Sequence, residues 1–134
     1  MYFHSMAKLL SKLLPVFVCT FFFMLQSSAQ NKEPYVRIAK IVVDSLQLEN
    51  YKAALKEGIE TAIRTEPGVL RMYAMYDKEN PTHITVFETY ANKEAYQSHI
   101  QTAHFKKYKT RTLNMVKSLE LIDVVPIAFE SKQQ

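Results

Sequence analysis

The stretch VLRMYAMYDKENPTHITVFETY, residues 69–90, decides the fold of this chain. Residues 69–76 and 82–90 are rich in β-branched and aromatic side chains, and residues 77–81 between them are typical of a turn. Two such runs separated by a short turn predict two antiparallel strands joined as a hairpin. A hairpin in the middle of the chain restricts how the elements before and after it can be arranged.

Upstream of the hairpin, residues 36–43 predict another strand, because β-branched residues dominate them. Asp44 or Ser45 supplies a side-chain oxygen that can cap the helix that follows. Apolar residues then recur at helical spacing, at Leu48, Tyr51, Leu55, Ile59 and Ala62. Pro67 disfavours helix at the residue before it and Gly68 permits a turn, so the helix should end there.

Downstream of the hairpin, Asn92 can cap a helix that runs to Ile100, and Thr102 can cap a second helical segment from Ala103. Residues 119–126 predict a fourth strand. The order strand, helix, strand, strand, helix, strand predicts a ferredoxin-like α+β fold, with an antiparallel sheet and helices on one face. The other face needs cover as well, and a second protomer would supply it, so we expect a homodimer.

The first 29 residues differ from the rest and predict a signal peptide. Lys8 and Lys12 precede an apolar run at residues 13–25, and small residues at Ser27 and Ala29 close it. An uncleaved membrane anchor is the alternative, but the run is shorter than the ~20 residues that a spanning helix needs. Cleavage after Ala29 would leave a leader at residues 30–35, a domain at 36–127 and a tail at 128–134. The intact mass of the exported, periplasmic or extracellular protein would test this cleavage.

The composition of the remaining chain of about 105 residues excludes several function classes. It has no cysteine, which excludes disulfides and cysteine catalysis. Without Lys8 and Lys12 it holds 15 basic and 13 acidic residues, a net charge of +2. A nearly neutral domain without a basic stripe is a poor candidate for nucleic-acid binding, and no membrane association is expected after cleavage.

Two histidines, His99 and His104, are the first candidates for chemistry. On one continuous helix, residues five apart lie about 140° apart around the axis, so the two rings would not face one ion. Histidine pairs that bind metal on a helix prefer a spacing of four, and we therefore predict no metal site. If Thr102 interrupts the helix, the two rings could converge. The alternative for each histidine is a structural role, in the core or at the helix start.

Glu88 is the one acid on the face that it shares with Ile84, Val86 and Tyr90 in the third strand. An unpaired carboxylate there would be costly, so it should have a partner, lie exposed in a cavity, or be protonated. The candidate partners are His99, His104, Arg37, Lys40 and Tyr73. The alternative is a carboxylate at a sheet edge in water.

Several motifs in order resemble the antibiotic biosynthesis monooxygenase (ABM) domain family. They are Glu66-Pro-Gly-Val-Leu70, Tyr73, the turn at 77–81, Phe87-Glu88-x-Tyr90, Glu94-Ala95 and His99-x-x-Thr102-x-His104-Phe105. The resemblance covers about residues 36–126. It implies a ferredoxin-like protomer that pairs into a dimeric α+β barrel, with a ligand between the sheet and the helices. Tyr73, Glu88, Tyr90, His99 and His104 would converge there.

The sequence also departs from the family pattern. Many relatives have tryptophan at the position of Tyr90 and proline at the position of Ala103. The haem-degrading branch has a haem-ligating histidine where this chain has Lys109, which argues against haem degradation. No flavin or nicotinamide fingerprint is present, so no cofactor is expected.

The resemblance implies a monooxygenase that acts on a phenol- or quinol-like aromatic ligand. His99 or His104, assisted by Glu88, would remove a proton from the ligand. Tyr73 and Tyr90 would orient the aromatic ring, and Arg37 or Lys40 would stabilise the anion. Phe105 and Tyr108 would line an apolar pocket. An isomerase that uses the same base and a module that only binds a small ligand are the alternatives.

Overall fold

The computed structural model describes residues 33–130, so the predicted signal peptide lies outside the described residues. Four strands form one antiparallel sheet: β1 (Tyr35–Val43), β2 (Val69–Tyr76), β3 (His83–Tyr90) and β4 (Val116–Val124). Their order in the sheet is β2-β3-β1-β4, so the hairpin pairs its second strand with β1. This arrangement confirms the predicted ferredoxin-like α+β fold.

The helices are α1 (Leu48–Thr65), α2 (Lys93–His99) and α3 (Ala103–Thr112), and a 3₁₀ turn at Ser45–Gln47 precedes α1. Within residues 33–130, no helix is long and apolar enough to cross a membrane.

Side-chain oxygens begin the helical segments at the predicted positions. Asp44 accepts a hydrogen bond from the amide of Leu46, at 2.9 Å, and so begins the 3₁₀ turn. Asn92 accepts from the amide of Ala95, at 2.8 Å, and begins α2. Thr102 begins α3 in the same way. The predicted caps of α2 and α3 are therefore confirmed, whereas Asp44 caps the 3₁₀ turn and α1 follows Gln47 without a side-chain cap.

The fourth strand begins three residues earlier than the sequence predicted, at Val116. Val116 pairs with Val43, after a register shift between Val42 and Val43. The first residues of β4, Val-Lys-Ser, carry no alternating pattern of their own, so their strand structure comes from pairing with β1.

The core lies between the sheet and α1–α3. One cluster of its buried residues consists of Ala39, Ile41, Val43, Tyr51, Leu55, Ile84 and Val86, and a second consists of Ala62, Val69 and Tyr90. The sheet face away from the helices, which we call the open face, is less covered. A row across its four strands consists of Tyr73, Phe87, Ile38 and Ile122. Phe129, from the segment predicted as a tail, contacts Phe87 there, with ring centroids 6.3 Å apart.

Gly68 allows the turn after α1 to approach α2 closely. A Cβ atom added at Gly68 would lie only 2.6 Å from the Cβ atom of Ala95. The carbonyl of Gly68 also accepts a hydrogen bond from the amide of Ala91, at 2.9 Å. This close contact places Glu66, two residues earlier, beside the junction between α2 and α3.

Candidate functional site

A cavity lies between the sheet and the helices. Its volume is about 740 Å³, including the open mouth. Its polar lining consists of Arg37, Glu88, Tyr90, Tyr96, His99, His104, Tyr108 and Lys109. Apolar side chains complete the wall, among them Leu55, Ile59, Met72, Val86, Ile100 and Phe105. A mostly apolar cavity with a few polar groups suits a small aromatic ligand.

Both predicted histidines contact one carboxylate oxygen, Oε1 of Glu66. His99 Nδ1 lies 2.8 Å from it and His104 Nε2 lies 2.6 Å from it. The exposed fractions of these side chains are 7 % for His99, 13 % for Glu66 and 23 % for His104. We call these three residues the Glu66 cluster. It sets one imidazole in the protein interior and the other nearer to solvent.

The convergence of the two rings depends on the break between α2 and α3. The helix ends at His99, and the amide of Thr102 bonds to the carbonyl of His99 at 3.0 Å. A new helix then begins at Ala103. The interruption at Thr102, one of the two alternatives left open by the sequence, is therefore confirmed. The premise of a continuous helix, on which the rings face apart, is wrong.

The hydrogen bonds assign the protons of the Glu66 cluster. The Thr102 hydroxyl donates to the carbonyl of His99 at 2.7 Å, so its oxygen can only accept from His104 Nε2, at 3.2 Å. His104 therefore carries its proton on Nε2 and donates it mainly to Glu66. An ionised Glu66 accepts from His99 Nδ1 as well, which leaves Nε2 of His99 with a lone pair.

Nε2 of His99 is the basic atom that the cavity offers to a ligand. His99 lines the cavity, and no hydrogen bond joins its Nε2 to another of the described residues. The carboxylate behind the ring fixes the tautomer and would stabilise the imidazolium formed on proton uptake.

Glu88 lies in the cavity wall but contacts neither histidine. Its Oε2 atom accepts a hydrogen bond from the hydroxyl of Tyr90 at 3.0 Å. Burial raises the pKa of the Glu88 carboxyl above its usual value, and the Tyr90 bond and the charge of Arg37 offset only part of this effect. The carboxylate that contacts the histidines is thus Glu66, and the expected pairing of Glu88 with a histidine is wrong.

The raised pKa of Glu88 predicts a pH-dependent stability. A carboxyl whose folded pKa is raised contributes its full stability below the pKa of the unfolded chain and loses it as the pH rises through the folded pKa. Glu88→Gln should therefore raise the melting temperature at pH 7–8, and the gain should shrink towards pH 4. Thermal melts by circular dichroism measure this, with Glu79→Gln in the exposed hairpin turn as the control. Parallel curves for the wild type and Glu88→Gln would contradict the assignment.

Arg37 reaches the cavity, and each of its three guanidinium nitrogens already makes one contact. Nε and a terminal nitrogen bind Oδ1 of Asp123, at 2.9 and 2.7 Å, and the other terminal nitrogen donates to the hydroxyl of Tyr96. The hydroxyl of Tyr35 also donates to Asp123, at 2.7 Å. A ligand in the cavity would therefore meet the charge of Arg37 and the Tyr96 hydroxyl that Arg37 contacts.

Two residues predicted for ligand binding lie away from the cavity. Tyr73 is 58 % exposed on the open face, because Met72 takes the inward position beside Glu88. Lys40 is on the same open face, 4.0 Å from Glu120. Side chains alternate along a strand, so the expected place of Tyr73 and Lys40 in the pocket is wrong. Phe105 and Tyr108 do line the cavity, as expected, and Tyr108 also shares a 2.7 Å hydrogen bond with Tyr51.

Sequence reasoning assigned no role to Glu66 or Tyr96. Glu66 is part of the Glu-Pro-Gly motif that contributes to the family resemblance. This motif was the feature of the sequence that could have identified Glu66 as a site residue. Tyr96 shares a helical face with His99, three residues away, and this spacing was the signal for Tyr96.

The Glu66 cluster also has the composition of a metal site. Its three ligand atoms lie within 4.8 Å of one another. However, two tetrahedral zinc ligands, each about 2.05 Å from the ion, are about 3.3 Å apart. The observed 2.6 and 2.8 Å separations are instead those of hydrogen bonds. We predict that protein purified without a histidine tag contains less than stoichiometric metal by elemental analysis. A stoichiometric ion lost on His104→Ala would contradict this prediction.

Known proteins share the family sequence pattern and the fold of this chain. Residues 34–111 match the sequence model of the family named antibiotic biosynthesis monooxygenase. A solved structure of a candidate antibiotic biosynthesis monooxygenase from Bacteroides thetaiotaomicron is 51 % identical. It superposes with a TM-score of 0.72, over 76 % of this chain and 97 % of that protein.

Two other solved structures are more distant. A candidate monooxygenase from Lactobacillus acidophilus is 34 % identical over 72 % of this chain, with a TM-score of 0.69. The chain spans about half of that protein, 46 % of its length. A third structure, from Nitrosomonas europaea, is 23 % identical with a TM-score of 0.67 and shows the shared fold alone. No curated protein matches the chain.

Proposed function

The chain belongs to the antibiotic biosynthesis monooxygenase family, and we propose that it is a cofactor-independent monooxygenase of a phenol- or quinol-like small molecule. One observation carries this proposal. His99 presents an unpaired basic nitrogen to a largely apolar cavity, with the Glu66 carboxylate behind the ring. A base held in this way can remove a proton from a bound acidic phenol.

The first step is proton transfer from the ligand to Nε2 of His99. The imidazolium keeps its hydrogen bond from Nδ1 to Glu66, whose negative charge compensates the new positive charge. His104 donates to the same oxygen and holds the carboxylate in place. The cluster thus stabilises one charged imidazole. His99 is the more deeply buried of the two histidines and would carry that charge.

The second step is reaction of the electron-rich anion with molecular oxygen. At an activated ring methylene, one oxygen atom stays on the carbon as a carbonyl, and the other leaves as water with the two methylene hydrogens. The substrate supplies all the electrons that oxygen accepts, so the step requires no further reductant. The chain's residues contribute the proton transfer, the orientation of the ring and a largely apolar cavity.

Oxygen uptake tests this function. The mature protein is incubated in air with a panel of quinols and of polycyclic phenols that have an activated ring methylene, and oxygen consumption is followed with an electrode. Uptake above the uncatalysed rate, with a ring-oxidised product, would support the proposal. Ligands that bind without oxygen uptake would instead indicate a binding module, and a rearranged product without uptake would indicate an isomerase.

We also propose that the protein acts as a homodimer. The open face carries an apolar row across all four strands, and Tyr73 and Met75 on this face are 58 % and 51 % exposed. Exposed apolar patches of this kind are typical of protein interfaces. Val125 and Ile127, which follow β4, are also exposed, at 87 % and 104 %. A second copy that packs on this face would bury these side chains.

Export is part of the same proposal. It rests on the order of basic, apolar and small residues in the first 29 positions. The ligand would then be a molecule met outside the cytoplasm, and the intact mass of the exported protein would test this proposal.

A further inference from the structure

A chain of contacts runs from the sheet to the helix above the cavity. It links Asp123 on β4, Arg37 on β1 and Tyr96 on α2. The guanidinium of Arg37 holds Asp123 with two of its nitrogens and donates from the third to the hydroxyl oxygen of Tyr96. The centre of the guanidinium also lies 4.4 Å from the centroid of the Tyr96 ring. These contacts fix the position of the Tyr96 side chain.

The Tyr96 hydroxyl is left with a proton to donate. Its oxygen accepts from Arg37, so its own hydrogen points to another acceptor. Within residues 33–130, no group accepts this hydrogen, and Tyr96 lines the cavity. By contrast, the Tyr90 hydroxyl already donates to Glu88. The hydroxyls of Tyr108 and Tyr51 share one hydrogen bond, in which either oxygen could be the donor. Tyr96 therefore differs from Tyr90 in the hydrogen that it can still donate, and from Tyr108 in the guanidinium that holds its hydroxyl oxygen.

Tyr96 supplies a hydrogen-bond donor and His99 supplies an acceptor on the same face of α2. Residues three apart on a helix are neighbours, with Cβ atoms about 5–6 Å apart. Both side chains line the same cavity. A ligand in this cavity can therefore meet both the basic nitrogen of His99 and the hydroxyl of Tyr96.

We propose that Tyr96 is the residue that binds the oxygen-centred anion of the ligand, a phenolate or an enolate, through its hydroxyl hydrogen. The inference rests on the proposed function and assigns its anion site. The proton leaves the ligand for His99, and the Tyr96 hydrogen stays on its oxygen and shortens its bond to the new anion. Such a donor is preorganised for the charge that develops during the reaction.

Arg37 and Asp123 are positioning residues in this arrangement. The positive charge of Arg37 polarises the Tyr96 hydroxyl and strengthens it as a donor. Asp123, with a side chain 54 % exposed, holds the guanidinium of Arg37 in place. Rings on either side hold Tyr96 in place, since its centroid lies 5.2 Å from that of Tyr35 and 5.4 Å from that of Tyr90.

The test uses 4-nitrophenol as a probe, because its phenolate absorbs visible light and its neutral form does not. Binding is titrated at a pH above and a pH below the ionisation of the free probe. Tyr96→Phe keeps the ring and removes the hydroxyl. It should weaken binding of the phenolate about 10- to 100-fold and leave binding of the neutral phenol nearly unchanged. Asp123→Asn, which loosens Arg37, should give a smaller loss in the phenolate alone.

Tyr73→Phe on the open face is the matched control and should change neither affinity. Equal losses for both forms of the probe in Tyr96→Phe would show a packing role and overturn the inference, as would no loss. If Tyr96→Phe does not fold, an unchanged phenolate affinity in Asp123→Asn overturns the inference, and a selective loss supports it. Failure of the wild type to bind the phenolate also overturns it, whereas oxygen uptake with quinols would still support the proposed function.

Discussion

Replacing His99 with glutamine should lower turnover about 100- to 10 000-fold in a protein that still folds. This range is the usual contribution of a positioned general base. The glutamine amide can still donate to Glu66, so the carboxylate keeps its partner in the interior. It has no basic nitrogen, however, and cannot take the proton of the ligand. The measurement is the rate of oxygen uptake per folded molecule, with the folded fraction taken from circular dichroism.

Two further substitutions give this prediction its controls. His83→Gln, at the exposed start of β3, should change neither the rate nor the melting temperature. His104→Gln should cost less than His99→Gln, because His104 presents its proton to Glu66 and holds the carboxylate in place. A purely structural His99 would give the reverse result for His99→Gln, with a lower melting temperature and unchanged turnover per folded molecule.

The sequence predicted the fold because its signals are local. The β-branched and aromatic runs in residues 69–90 and the caps at Asp44, Asn92 and Thr102 each depend on a few neighbouring residues, and the structure shows the two strands and the three caps. The start of β4 was missed because it depends on pairing with β1, which lies far away in the sequence.

The candidate site was harder to predict because its contacts are distant in sequence. Glu66 lies 33 residues from His99 and 38 from His104, and nothing in the local pattern joins them. Glu88 was the expected partner because it is the acid on an apolar strand face, but its carboxylate accepts a hydrogen bond from the Tyr90 hydroxyl instead. A one-residue step along β2 decides that Met72, and not Tyr73, faces the cavity. Family motifs give the position of Tyr73 in the chain but not the direction of its side chain.

A charged substitution on the open face should dissociate the proposed dimer. Phe87 lies in the middle of the apolar row, paired with Ile38 on one side and Tyr73 on the other. In the proposed dimer, Phe87→Glu would place an unpaired carboxylate inside the interface. Burying such a charge costs several kcal/mol, which weakens association more than about 100-fold. Light scattering at micromolar concentration should therefore show twice the protomer mass for the mature wild type and a single protomer mass for Phe87→Glu.

The control for this prediction must change charge without touching the open face. Lys106→Glu on the exposed side of α3 alters the net charge by one unit more than Phe87→Glu does, and it should leave the dimer intact. Phe87→Glu also removes the contact with Phe129, so a lower melting temperature alone does not identify the interface, and the mass decides. A wild type that is monomeric and melts cooperatively would remove the dimer. A Phe87→Glu variant that stays dimeric would place the interface elsewhere on the molecule, because a central unpaired carboxylate is incompatible with close packing of two apolar sheet faces.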